Sequence, residues 1–461
     1  MASSEYLKAA THLLPTLKSF PTEFQAFFSS HSALSVQSWL TYYATADPLH
    51  TAIVLCTISS AAVYIMQQLT GNASQVDRIW TFAPVWYGAH FALQPVLAAK
   101  LIASGWAGDS LRNILQDPSK LNLSVFAQKA FGSGNVDAHL EPRLALMLCL
   151  QLLWSSRLTF NAWRRGFFKS GEEDYRWPEL RKGMPRWQWE LFAFFFIAII
   201  QNMLLAATAL PQYLILTTTL STTAKMSHST TLSLTKADLI LAGVFVTNLV
   251  FEFLSDHQQQ VYQNWKRGLI ADFFGRPQAR NTLKANQEFP KTIGGTKTRS
   301  TAAPEPAVLF DWRADEALFT EDDRKRGFVA RGLWSLSRHP NFACEQTVWW
   351  LLFLFVPITF GEPLTRVHTA REAIKYGHAL VLNYAILSPV LMSLLFISST
   401  DYTEKLSMKK YPAYKEYRKV VGPFSPLDTL VRRFYYNFIA SKQEKEKVYQ
   451  AVWGKLDGKM Q

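Results

Sequence analysis

Polar and ionisable residues are concentrated at the start of one apolar segment, where Arg338, His339, Asn341 and Glu345 stand beside or within the apolar run. Burying such groups in a membrane is costly, so they more often bind something than decorate a surface. Pro340 suits the first turn of a helix, where its missing N–H costs nothing. Asn341 and Glu345 would then share one helical face. Arg338 and His339 would lie at the helix N-terminus, where backbone N–H groups and the helix dipole favour an anion such as phosphate.

A second polar stripe follows the spacing of one helical face and contains Asp77, Trp80, Pro84, Tyr87 and Gln94. One interpretation is helix–helix packing with hydrogen bonds among the aromatic residues, since Trp and Tyr are common at membrane interfaces. The other is one wall of a ligand cavity. In that case Asp77 and Tyr87 are the catalytic candidates, with Tyr87 as a proton donor.

A third stripe places Arg157, Asn161 and Arg164 on one face. Arginines near a membrane end can extend to the interface, but Asn161 on the same face favours an inward polar cavity. The acidic run 172–174 follows, between Arg-rich flanks. It is either a local set of salt bridges or part of a cofactor-binding lid, in which case Arg164 and Tyr175 contact the cofactor.

A fourth stripe consists of Asn248, Glu252 and Asp256, spaced four residues apart. A carboxylate near mid-membrane costs ~3 kcal/mol, so Glu252 requires a partner. Arg157 and Arg338 are the candidates. The stripe is either a structural ion pair or part of a binding site.

The elements that position these residues are predicted to form an all-α, polytopic helical membrane protein. Hydrophobic residues make up 49% of the 461 residues, and they cluster in runs near the ~20 residues that cross a bilayer. About seven transmembrane helices are predicted, at 51–69, 79–102, 143–163, 187–216, 237–255, 344–360 and 376–398. The fourth is too long for one straight crossing and should break near Pro211 or contain a re-entrant piece. The sixth should begin a few residues earlier than 344.

Charge distribution orients these spans. The net charge is +13, and the proposed loops and tail on one side contain 35 of the 48 Lys and Arg residues. The short loops 164–186 and 217–236 contain seven and two, respectively. Positive residues favour the cytosolic side, which predicts an outside N-terminus and a cytosolic C-terminus. All the polar clusters then lie at cytosolic helix ends, and the basic charge is explained by the membrane rather than by nucleic acid.

Three regions are predicted. Residues 1–50 form an N-terminal interfacial region, 51–430 a helical membrane domain, and 431–461 a charged cytosolic tail. A flexible cytosolic insertion is expected within the membrane domain at about 284–322, where Pro, Gly, Thr and Lys occur without helical periodicity. The sequence has no Gly-x-Gly-x-x-Gly fingerprint, so a nucleotide would be held without a Rossmann fold. No signal indicates a particular oligomeric state.

The segment Gly332 to Glu345 resembles the signature of the steroid 5α-reductase C-terminal-like proteins, the DUF1295 group. Three further segments fit: 157–161 with 171–178, 252–260 and 411–426. The resemblance, which extends to the sterol reductases, implies hydride transfer from NADPH to a carbonyl-conjugated double bond of a hydrophobic, sterol-like or long-chain lipid substrate. It also implies the endoplasmic reticulum. The residues implied to line the NADPH pocket are Asn341, Glu345, Asp256, Tyr411, Tyr414 and Arg418, with Arg338 and His339 facing the phosphates.

Two alternatives remain open. The substrate-gripping Gln-x-x-Glu-Leu-Pro motif of the steroid reductases is absent, and Asp77-x-x-Trp80 occupies the comparable region. Isoprenylcysteine and phospholipid methyltransferases share an Arg-His-Pro element and use S-adenosylmethionine, but they usually carry a Glu-Glu pair where this chain has Glu404 alone. The other alternative is a non-catalytic membrane scaffold.

Overall fold

The computed structural model describes residues 6, 8–103, 140–223, 234–267, 269–271, 274, 276–278, 319–360 and 377–454. The insertion predicted at about 284–322 lies outside the described residues except for its last four.

Helices dominate the described residues. Those before the insertion are α1 Leu13–Ser30, α2 Val36–Thr45, α3 Pro48–Thr70, α4 Gln75–Trp80, α5 Ala83–Ala103, α6 Pro142–Arg164, α7 Arg176–Lys182, α8 Arg186–Phe192, a π-helical segment Ala193–Ile200, α9 Gln201–Ala207, α10 Leu210–Thr223 and α11 Lys236–Lys266. Strands β1 Ile270–Ala271 and β2 Pro277–Gln278 pair antiparallel, Ile270 opposite Gln278. After the insertion come α12 Glu321–Arg326, a 3₁₀ turn Gly332–Ser335, α13 Pro340–Phe360, a 3₁₀ turn Tyr384–Ile386, α14 Leu387–Lys410, α15 Tyr414–Val420, α16 Pro426–Phe438 and α17 Lys442–Trp453.

In the part of the chain that the structure describes, five helical segments are long and apolar enough to cross a membrane: Pro48–Thr70, Arg186–Ala207, Lys236–Lys266, Pro340–Phe360 and Gly377–Lys410. The chain is therefore a helical membrane protein. The other two predicted spans are also helices, α5 and α6, but they do not belong to this set. The count of seven crossings stays a prediction.

Local residue chemistry sets several helix boundaries. Helix α13 begins at Pro340, which confirms both the proline at its first turn and the expected earlier start. The long fourth segment breaks at Thr208 and Ala209, just before Pro211, as predicted. At the start of α3, Asp47 accepts a hydrogen bond from the Leu49 N–H at 2.8 Å, as an N-cap does.

The prediction of one continuous face from Asp77 to Gln94 was wrong. Thr81 and Phe82 form a turn between α4 and α5, so Asp77 and Trp80 lie on a different helix from Tyr87. Pro84 accounts for the break, because it has no N–H to continue the ladder of a preceding helix but is tolerated in the first turn of a new one.

The chain divides into two compact units. Unit 1 comprises Met1–Ser156, Glu173–Val246 and Val348–Leu394. Within it, α3 packs against the π-helical segment and α9, while α5 packs against α2 and α10. A buried ion pair joins Arg143 Nε to Asp238 Oδ1 at 2.7 Å.

Unit 2 comprises Arg157–Glu172, Thr247–Thr347 and Leu395–Gln461. Its core contains Phe328, Tyr414, Tyr417, Tyr436 and Val448, and α15 packs against both α16 and α17. The buried Tyr417 hydroxyl donates to the Trp334 carbonyl, which fixes α15 against the 3₁₀ turn. This unit contains most of the residues predicted to bind a cofactor.

Candidate functional site

An ion-pair cluster centred on Arg157 lies in unit 2. Arg157 Nη2 is 2.9 Å from Glu252 Oε1 and 3.1 Å from Glu345 Oε2, and Nη1 is 2.7 Å from Asp256 Oδ2. The four side chains are at most 8% exposed. We call these residues the Arg157 cluster. The prediction that Glu252 pairs with Arg157 or Arg338 is confirmed for Arg157.

Helical spacing supplies two of these carboxylates from one element. Glu252 and Asp256 are one turn apart on α11, while Glu345 comes from the second turn of α13. Three carboxylates thus face a single guanidinium in a poorly hydrated place. Such an excess of acceptors favours a hydrogen-bond donor or a cation as an additional partner.

Two further polar residues, Asn341 and Arg164, bind a residue of the Arg157 cluster or one next to it. Asn341 Nδ2 donates to Asp256 Oδ1 at 3.1 Å, which confirms that Asn341 and Glu345 share a face of α13. Arg164 Nε donates to Asn161 Oδ1 at 3.0 Å, and its Nη1 lies 3.2 Å from His257 Nδ1. Within the described residues, the buried Asn341 Oδ1 and Arg164 Nη2 have no hydrogen-bond partner. Asn341 therefore offers an acceptor, and Arg164 a donor, to a ligand.

A second network centres on Glu404 of α14. Glu404 Oε1 accepts from Arg338 Nε at 2.7 Å and lies 3.0 Å from His339 Nε2, while Oε2 lies 2.9 Å from Arg418 Nε. The Tyr414 hydroxyl is 3.5 Å from Oε1. Burial, followed by the charge of Glu404, raises the pKa of Tyr414. We call this the Glu404 network, and it brings together four of the residues predicted to bind a cofactor.

The guanidinium of Arg338 forms its hydrogen bonds with other groups of the protein. Besides Glu404, it donates to the carbonyls of Arg418 and Val421, and its side chain is buried. These contacts connect the start of α13 to the end of α15. The role of Arg338 and His339 as phosphate ligands stays a prediction.

Tyr411 lies apart from both groups, in the turn between α14 and α15. Its hydroxyl accepts from Lys266 Nζ at 2.9 Å, and the same ammonium donates to the Gly327 carbonyl at 2.6 Å. Burial acts to raise the pKa of Tyr411, but the hydrogen bond and charge of Lys266 outweigh it, so that the pKa is lowered. The site prediction did not include Lys266.

Three predicted site residues belong to unit 1. Asp77 Oδ2 accepts from the Trp177 indole N–H at 2.7 Å, and burial raises the pKa of this carboxyl. Tyr87 is fully buried on α5, and Tyr175 is exposed. None of the three belongs to unit 2, which contains the Arg157 cluster.

The acidic run forms local salt bridges. Arg181 Nη2 lies 2.7 Å from Glu173 Oε1, and Arg176 Nε lies 2.7 Å from Asp174 Oδ1. These contacts favour the salt-bridge interpretation of Glu173 and Asp174 over a cofactor-binding lid.

Sequence reasoning missed Glu404 as a central residue. Glu404 stands in the last turns of a span-forming helix, Gly377–Lys410. The signal was available, because an acid in such a segment requires a partner just as Glu252 does. Among the described residues, no group of His, Cys, Asp and Glu side chains is arranged to hold a metal ion.

The fold and the site together define the chain as a helical membrane protein with a buried arginine–carboxylate site. The chain belongs to the DUF1295 family, described as a protein of unknown function, whose family model matches residues 121–421. This confirms the resemblance seen in the sequence. An uncharacterized protein of Schizosaccharomyces pombe is 28% identical over 386 residues, which cover 84% of this chain and 81% of that protein. No solved structure matches the chain significantly.

Proposed function

We propose that the protein is an NADPH-dependent membrane reductase acting on a carbonyl-conjugated double bond of a hydrophobic, sterol-like or long-chain lipid. The observation that carries this proposal is the convergence of Asn341, Glu345, Asp256, Arg157 and Arg164 in one buried polar site. That site keeps the Asn341 Oδ1 acceptor and the Arg164 Nη2 donor open.

These groups fit the polar parts of a dinucleotide. The carboxylates of Asp256 and Glu345 and the Asn341 oxygen accept hydrogen bonds of the kind that ribose hydroxyls and a carboxamide donate. Arg164 donates to an anionic oxygen such as that of a phosphate. When bound, NADPH would supply the hydride that reduces one alkene carbon.

The proton for the other alkene carbon must come from an acid of the protein. Tyr87 in unit 1 is our candidate, because a buried phenol can both hydrogen-bond a carbonyl and deliver a proton. Tyr87→Phe should abolish product formation and leave NADPH affinity unchanged. Full turnover by this variant would exclude Tyr87 as the donor.

A second candidate is an S-adenosylmethionine-dependent lipid or isoprenylcysteine-type methyltransferase. The observation in its favour is the excess of carboxylates over guanidinium charge around Arg157, which suits a sulfonium cation. The same excess suits the donor-rich ribose and carboxamide groups of NADPH, so ligand selectivity distinguishes the two.

Binding to the detergent-purified protein tests the proposal. NADPH, NADH and S-adenosylmethionine are compared by thermal shift; a ligand at ~100 times its dissociation constant stabilises the native state by ~2.7 kcal/mol. Selective stabilisation by NADPH supports the reductase, and selective stabilisation by S-adenosylmethionine supports the methyltransferase. No shift with any of them, in a folded sample, favours a non-catalytic scaffold.

Site variants make the test specific. Asn341→Ala and Glu345→Gln should each weaken NADPH binding without unfolding the protein, because each removes or neutralises an acceptor at the site. Thr347→Ala on the same helix is the matched control, since Thr347 is exposed and its hydroxyl donates only to the Ala343 carbonyl at 2.8 Å. Unchanged NADPH affinity in both site variants would refute the site.

We further propose seven crossings, with an outside N-terminus and a cytosolic C-terminus, in the endoplasmic reticulum. The contrast between seven Lys and Arg residues in 164–186 and two in 217–236 supports the orientation. A C-terminal tag should be digested by protease added to sealed microsomes. Protection of the tag would contradict this orientation.

A further inference from the structure

Helix α16 (Pro426–Phe438) is amphipathic in the inverse sense to a helix of a water-soluble protein. Two of its polar residues, Thr429 and Arg433, face the protein. Gly422 N–H donates to Thr429 Oγ1 at 2.8 Å, and that hydroxyl donates to the Leu336 carbonyl at 2.7 Å. Arg433 Nη2 donates to the Ser335 carbonyl at 2.6 Å. A helix packed on a soluble protein normally directs its apolar side inwards instead.

The apolar residues of α16 lie on the opposite face. Leu427, Leu430, Val431, Phe434 and Phe438 follow the spacing of one helical stripe, and all five are exposed. Leu427 is 71%, Val431 69% and Phe438 75% exposed. A contiguous apolar stripe of this kind requires an apolar environment.

The position of α16 in unit 2 indicates what that environment is. Arg338 donates hydrogen bonds to Glu404 at 2.7 Å and to the Arg418 carbonyl at 3.2 Å. Glu404 lies about 9 Å before Lys410, where the span-forming segment ends. The same carbonyl accepts from Arg432 Nη1 on α16 at 3.1 Å. Helix α16 is therefore fixed beside the end of a membrane-spanning helix, which is where a bilayer has its interface.

We propose that α16 lies in the plane of the membrane interface, with Leu427, Leu430, Val431, Phe434 and Phe438 inserted among the lipid acyl chains. An amphipathic helix with Leu and Phe on one side and Arg on the other binds membranes in this orientation. Residues 426–439 then belong to the membrane-bound part of the protein and not to a charged tail in the cytosol. This inference is independent of the catalytic proposal.

The test uses the full-length protein in lipid vesicles, with its three native cysteines replaced by alanine. An environment-sensitive fluorophore is attached at Phe434→Cys or at Val431→Cys. Lys442→Cys at the start of α17 is the matched control, because that side chain is 90% exposed and polar. Each probe is challenged with aqueous iodide and with nitroxide-labelled lipid.

We expect nitroxide lipid to quench the probes at 431 and 434, and iodide to quench them at least about threefold less than the probe at 442. Iodide quenching equal to that at 442 would show that the face is in water, and would overturn the inference. Protection from iodide without quenching by nitroxide lipid would also overturn it, because a second copy of the chain or another protein would then cover the face.

Discussion

Replacing Arg157 with methionine should be among the most damaging single changes in this protein. The substitution keeps much of the side-chain volume but leaves Glu252, Asp256 and Glu345 buried without their shared cation. Two charges ~4 Å apart attract by ~4 kcal/mol at an effective dielectric constant of ~20. Desolvation offsets much of that gain, and breaking a buried pair costs about 3–5 kcal/mol. We expect Arg157→Met to lower the free energy of unfolding by that amount.

The assay is a denaturant titration of the detergent-purified protein, followed by tryptophan fluorescence. Arg165→Met is the matched control, because Arg165 lies eight residues further along, directly after α6, is exposed, and donates through Nε to the Asn161 carbonyl at 3.3 Å. Its effect should be within ~0.5 kcal/mol. Adding Asp256→Asn to Arg157→Met should recover part of the loss, because fewer buried charges then lack a partner. If Arg157→Met and Arg165→Met cost the same, the Arg157 cluster is not a buried ion network.

Further predictions concern Gly327, Tyr411 and Glu404. Gly327 ends α12 with φ +83°, and an added Cβ would collide with the Tyr411 ring, so Gly327→Ala should cost roughly 1–3 kcal/mol by the same titration. A smaller effect than that of the exposed, positive-φ Gly171→Ala would contradict this packing. The folded-state pKa of Tyr411 lies below its unfolded value, so its ionisation contributes stability that is fully present above about pH 10 and is lost as the pH falls through the folded-state pKa. The thermal midpoint of the wild type minus that of Tyr411→Phe should therefore rise as the pH rises towards about 10, and a flat difference would refute the Lys266 contact. Glu404→Gln should lower the thermal midpoint more than Glu416→Gln, because it leaves buried Arg338 without a carboxylate; equal effects would exclude the Glu404 network as a structural element.

The start of α13 shows which structural features the local sequence can predict. Pro340 and the polar residues around it predict where the helix begins and which residues share a face, and both predictions are confirmed. The break before Pro211 is of the same kind, since one ring fixes the local backbone. The Asp77 to Gln94 stripe failed because a periodicity count assumed one helix across a turn.

The sequence predicted which residues belong to the site better than it predicted which of them contact one another. Polar residues in apolar segments identified Glu252, Asp256 and Glu345 as groups that need partners. The sequence offered both Arg157 and Arg338 as the cation, and only one of them is used. Arg338 instead binds Glu404, an acid in a span-forming segment that the site prediction left out.

The sequence alone determined that this is a helical membrane protein of the DUF1295 family, because apolar run length and short motifs are properties of neighbouring residues. Tertiary structure alone decided which charges pair, since Arg157 contacts acids 99 and 188 residues further along the chain. It also decided the orientation of α16, whose apolar stripe would be a core face in isolation. The hydrogen bonds of Thr429 and Arg433 to the protein, together with the exposure of the apolar side chains, show that this stripe points outwards. Pairing and orientation depend on distances between remote segments, and these exist only once the chain has folded.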